Sequence, residues 1–163
     1  MKRYFFIDFR KKYHEKSGFT LIELLICIGL LSIISMGILP ISKYTYIRLK
    51  EIKLRQNLRI IRDAIDEYKE MSDEKKIEIE FLSSGYPKNI KILVTGVQLF
   101  GVDQTPKKFL RRIPMDPMAK DGIWGFRSYA DPYNSEIWGG QDIYDIYSKS
   151  NMRALDGSYY KNW

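Results

Sequence analysis

The chain divides by its pattern of apolar and polar positions. From Phe19 to Leu39 there are 21 residues with one ionisable carboxylate, Glu23. As an α-helix at about 1.5 Å per residue this run spans about 31 Å, the thickness of a bilayer's hydrocarbon core. No second apolar segment of that length is present to bury it. From 41 to 71 the period changes. Ile47, Leu54, Leu58, Ile61, Ile65 and Tyr68 mark one apolar stripe, with no Gly or Pro between 41 and 71. The pattern predicts one long helix over about 19–71, its first half in a membrane and its second half packed by one face. Pro40 removes a backbone donor between the halves and is expected to kink it.

Beyond residue 72 the chain is turn-rich and aromatic. "KIEIEF" (76–81) alternates as a short strand does. In "NIKILVTGV" (89–97), Ile90, Leu93, Val94 and Val97 take helical spacing, with Gly96 as a stop. Residues 101–108 read as a loop, and Pro114 and Pro117 exclude an interior strand at 113–117. "IWGFRSYA" (123–130) and "DIYDIYSK" (142–149) are the best strands, joined through turn chemistry in 131–140. A two-stranded sheet is marginal alone, so the long helix must supply its second layer. The expected fold class is α+β, with a long N-terminal helix packed on a small antiparallel β-sheet and a short second helix.

Composition narrows the function. The chain has 163 residues, 45% apolar and 14% aromatic, enough for one packed domain. Its single Cys27 forbids an intramolecular disulfide and is a small apolar residue of the span. The net charge is +7, yet residues 1–18 hold six Lys/Arg against two acids, which leaves +3 for the rest. That basic arm sets orientation: it stays cytoplasmic, and the chain beyond the span lies outside. The basic stretch 43–62 suits a solvated face or lipid head groups, and no nucleic-acid partner is expected. The one His, His14, lies before residue 18, and no P-loop or dinucleotide fingerprint is present. Residues 19–163, 145 in all, hold no His and only Cys27, so they offer no Ser-His-Asp, Cys-His or His/Cys zinc chemistry, and no enzymatic activity is expected. Trp124, Trp138, Trp163 and the twelve Tyr are read as core and packing surface.

A secretory signal peptide would end its apolar core with a small-x-small cleavage site; here "LPISKYTYIRLK" comes instead. The small residue, Gly18, precedes the run. "SGFTLIE" at 17–23, with its basic leader and full span, resembles the prepilin signal of type IV pilins and type II secretion pseudopilins. The resemblance implies cleavage after Gly18 on the cytoplasmic face, N-methylation of Phe19, and retention of the apolar segment. A charge in hydrocarbon costs at least about 2.5–3.5 kcal/mol. In a bundle of such helices the new α-ammonium of Phe19 on one subunit can neutralise Glu23 of its neighbour; the alternative is a protonated or snorkelling Glu. Gly29, Ser32, Ser35 and Gly37 permit close helix approach without forming a clean G-x-x-x-G. Family helices also commonly carry a proline near the place of Pro40.

"GYPKNIKILVTGV", "FLRRIPMDP", "WGFRSY", "WGGQDIYDIYSKS" and "ALDGSYYKNW" are similar to the C-terminal domain of the major pseudopilin of type II secretion, in a variant branch. The similarity leaves out about 72–84 and 98–107. It implies a pilin-like fold divided into a cleaved cytoplasmic leader (1–18), a transmembrane and filament-core helix (19–40), a periplasmic helix half (41–71) and a small α+β domain (72–163). Its implied partners are other copies of the chain, a prepilin peptidase, minor pseudopilins, an inner-membrane assembly platform, the lipid bilayer and, indirectly, a secretion ATPase. The setting it implies is the inner membrane and periplasm of a Gram-negative bacterium. Two other readings stay open: a type IV pilus or DNA-uptake pilin, and a monomeric membrane-anchored binding module. Major pseudopilins often bind calcium in a C-terminal loop. Here Asp156, with Asp142 or Asp145 and backbone carbonyls, is the candidate set, and a plain Asp-Gly turn at 156–157 is the alternative. No cofactor is required.

Overall fold

The computed structural model describes residues 18–78, 83–101 and 106–163, and of 37–40 the backbone alone. The chain forms two compact units, residues up to Ser42 and from Lys43 onward. Helix α1 is Leu21–Asp73, α2 is Ile92–Thr95, strand β1 is Trp124–Arg127 and β2 is Asp145–Ser148; a 3-10 turn closes the chain at Tyr160–Asn162. This is the expected α+β architecture, and the long helix departs from its expected bounds by two residues at each end. Its backbone is helical at position 40. The side chain of Pro40 lies outside the described residues, and the expected kink with it.

The second unit is built on the stripe read from the sequence. Leu54, Leu58, Ile61, Ile65 and Tyr68 are buried against Ile77, Leu93, Trp124, Ile143, Ile146 and Tyr160. Ile47 is only half-buried. Burial of each such side chain stabilises by about 1.5–3 kcal/mol, and this supplies the second layer that a two-stranded sheet lacks. β1 and β2 pair antiparallel, with Trp124 opposite Ser148, Gly125 opposite Tyr147, Phe126 opposite Ile146 and Arg127 opposite Asp145.

Both strands are shorter than their apolar patterns. Asp131 accepts N–H bonds from Ser128 (2.7 Å) and Gly139 (3.0 Å), which turns the chain out of β1. Asp142 accepts from the Tyr129 N–H (2.8 Å) and holds the entry to β2. The expected strand at 76–81 is reduced to a single bridge between Ile77 and Leu99, and 79–81 lie outside the described residues. α2 is stopped at Gly96, whose φ of 88° is left-handed and whose Cβ position lies 2.7 Å from the Lys107 carbonyl oxygen.

Gly125 carries a specific prediction. A Cβ there would stand 2.3 Å from the Tyr147 ring. That ring cannot swing aside cheaply, because its hydroxyl donates to the Glu136 carbonyl (3.0 Å) and the Arg127 guanidinium stacks on it at 4.2 Å. Gly125→Ala is expected to lower stability by about 1–3 kcal/mol, read by urea unfolding, whereas the solvent-facing Gly157→Asn is expected to stay near wild type.

Candidate functional site

The head of α1 is built from a few residues. Thr20 precedes the helix, and its Oγ1 accepts the Glu23 N–H at 3.3 Å while its carbonyl accepts from Leu24 (3.1 Å). "TLIE" therefore forms the Thr half of a capping box, with Glu23 in the third helical position. A carboxylate in the first turn also meets the positive end of the helix dipole. Glu23 is thus more than the membrane acid expected from the apolar run; its local role is signalled by the Thr-x-x-Glu spacing, which the reading of the sequence missed.

Gly18 has no described heavy atom within 4 Å of its Cβ position, and Phe19 is 81% exposed. Packing among the described residues therefore does not require glycine at 18. The apolar side chains that come next, Leu21, Ile22, Leu24, Leu25, Ile26 and Ile28, are all exposed. The helix is long and apolar enough to cross a membrane, and its most apolar window is not buried among the described residues. Ser32 and Ser35 donate to the carbonyls of Ile28 (2.8 Å) and Leu31 (2.7 Å), so neither hydroxyl needs water. Cys27 is free and exposed within this stretch.

The three candidate calcium ligands go to separate places. Asp145 accepts Arg62 Nε at 2.7 Å and also faces the Arg127 guanidinium at 3.4 Å. Asp142 is buried, bonded to the Ser84 hydroxyl and the Tyr129 N–H. Asp156 accepts the N–H (2.9 Å) and hydroxyl (2.6 Å) of Ser158 and faces Arg55 at 3.3 Å. These bonds from Ser158 first, then Arg55, hold its carboxyl below the usual range. Among the described residues no group of three or more His, Cys, Asp or Glu is placed to hold a metal. Two of the three carboxylates are already neutralised by arginine, so the residues do not fit a calcium ion, and 156–158 is an Asx-type turn. Thermal unfolding of the full chain in detergent is expected to be the same in EDTA as in millimolar calcium; a rise of several degrees with calcium would show the ion bound.

The structure adds a buried carboxylate that the apolar pattern does not single out. Glu51 is 2% exposed, on the core side of α1. Its Oε1 accepts the Leu155 N–H (2.7 Å) and the Tyr160 hydroxyl (3.1 Å), and Arg48 stands 3.8 Å from its other oxygen. Burial, then the hydrogen bond and charge of Glu51, push the Tyr160 phenol up to about 12. Further along the helix, Arg62 also donates to the main-chain oxygens of Ile146 (3.1 Å) and Trp163 (2.9 Å). Glu51, Arg55 and Arg62 thus tie one helix to the C-terminal segment. Three charged residues of a stretch expected to be a solvated face are tertiary ties; the only hint in the sequence is that Glu51 interrupts a basic block.

Residues 14–39 match the family described as the prokaryotic N-terminal methylation motif. The match covers Gly18, Phe19 and Glu23 and ends one residue before Pro40. It marks a type IV pilin-like prepilin. Such a motif implies a structural subunit processed by prepilin peptidase and assembled as a pilin, and the apolar helix that it heads supports membrane anchoring. Comparison with curated proteins and with solved structures gave no match.

Proposed function

We propose that this prepilin is the structural subunit of a type II secretion pseudopilus. The leader 1–18 is removed after Gly18 at the cytoplasmic face, Phe19 is N-methylated, and 19–40 remains as a single membrane span and later as filament core. The second half of the helix and the 72–163 domain stand in the periplasm and coat the filament, which drives folded proteins through an outer-membrane secretin. Minor pseudopilins start the filament, an inner-membrane platform assembles it, and a cytoplasmic ATPase supplies the energy. The subunit itself performs no catalysis.

One observation carries the reading: the methylation motif heads a helix whose described apolar side chains from Leu21 to Met36 are exposed in the single subunit. Such a surface calls for lipid before assembly and for other copies after it. The C-terminal motifs and the single cysteine favour a pseudopilus over a disulfide-closed pilin.

The deciding experiment deletes the chain and scores exoprotein secretion, surface motility and DNA uptake side by side. Loss of secretion alone is expected; loss of motility or DNA uptake with secretion intact overturns the reading. Mass spectrometry of the membrane-bound chain is expected to find methylated Phe19 as first residue, and an intact leader in Gly18→Asp. A mature terminus elsewhere would exclude the proposed cut.

A further inference from the structure

The face of α1 turned away from the core carries a stripe whose charge reverses once. Gln56, Arg59, Asp63, Asp66 and Glu70 follow spacing 3, 4, 3, 4, so they share one side of the helix, and all five are exposed. Arg59 is the one base of the stripe, and the next three residues of it are acids. None of these four charges makes an ion pair within 4.0 Å among the described residues, although Glu67, Lys69 and Asp73 beside them do. Ile52 (52% exposed) and Ile60 (40%) flank the stripe with apolar surface. At the point of reversal an open groove of about 610 Å³ runs beside the helix, lined by Arg55, Arg59, Asp63, Asp66 and Trp163 among others.

We propose that this stripe is an interface for a second copy of the chain, with the basic part of one helix set against the acidic part of the next. It rests on the filament reading above. Charge complementarity names the occupant: the stripe places one free base, Arg59, N-terminal to three acids, so an identical stripe displaced along the axis sets that base against an acid, and an unshifted parallel one does not. Copies anchored in one membrane point the same way, which selects the displaced parallel arrangement. The step from Arg59 to Glu70 is eleven residues. Eleven residues are about three helical turns, or about 16 Å, so the same face is presented after the shift.

The test uses two full-length variants in the native cells. Gln56→Glu/Arg59→Glu makes the stripe acidic throughout, and Asp63→Lys/Asp66→Lys makes it basic across the groove. Each alone is expected to lose in-cell crosslinked multimers at least tenfold, while both expressed together restore them. Thermal unfolding of each variant should match wild type, since all four substituted side chains are exposed. Multimers at wild-type level in either single variant, or none in the mixed cells, overturn this inference alone. A wild type that forms no multimers overturns the filament reading and this inference together.

Discussion

Glu51→Ala is expected to destabilise the second unit by about 3 kcal/mol, against about 1 kcal/mol for Glu51→Gln. The alanine leaves two donors, the Leu155 N–H and the Tyr160 hydroxyl, facing a small void at a position 2% exposed. Hydrogen bonds to a charged acceptor contribute about 1.5–3 kcal/mol each, and a buried donor left without a partner costs about 1–3 kcal/mol. Glutamine keeps an oxygen where Oε1 stands, so both bonds can persist and only the charge is lost. Urea unfolding of the two variants measures the contrast; equal losses would mean that charge, not acceptor geometry, is what Glu51 provides. The same contact sets a pH limit. The Tyr160 phenol titrates at 10.0 in the unfolded chain and at about 12 when folded. Its folded pKa is raised, so its contribution is fully present below pH 10 and is lost as pH rises from 10 through 12. Wild-type stability is expected to fall over that window, and less steeply in Tyr160→Phe.

Glu23→Gln is expected to abolish filament assembly while leaving the subunit folded and membrane-bound. Glutamine serves as well as glutamate in the third position of a capping box, so the Thr20 cap survives. What it removes is the charge, and with it the partner for a neighbour's methylated α-ammonium in an apolar bundle. Glu23→Ala keeps the Thr20 bond, which goes to its backbone N–H, but loses side-chain bulk along with the charge, which makes the glutamine variant the cleaner probe. In-cell crosslinking reports assembly and circular dichroism of the detergent-solubilised chain reports folding. Assembly of Glu23→Gln at wild-type level would mean that the Glu23 charge is not needed between subunits.

The sequence was most legible where one force dominates. Hydrophobic period alone placed α1 within two residues and named Leu54, Leu58, Ile61, Ile65 and Tyr68 as its buried stripe. Gly96 stopped α2 as expected because a left-handed φ leaves few other choices. Legibility fell where a polar side chain overrides the pattern. Ser128 and Tyr129 looked like strand residues, yet their N–H groups go to the carboxylates of Asp131 and Asp142. Asp145 and Asp156 looked like calcium ligands because acid spacing along a chain does not show which arginine of a distant helix will face it. Arg62 and Asp145 are separated by 83 positions, and no local rule connects them. Glu51 was hidden for the same reason: its two donors come from more than a hundred residues away.

The grip of Arg62 has a mechanical consequence. One guanidinium binds the Asp145 carboxylate and the carbonyls of Ile146 and Trp163, while Arg127 holds Asp145 from the neighbouring strand. Because one guanidinium makes several of these bonds, a load that pulls the helix away from the strands falls on them together instead of breaking them one after another. Arg62→Ala should accordingly reduce the rupture force in single-molecule pulling by a larger fraction than it reduces equilibrium stability; equal fractions would mean that the load takes another path.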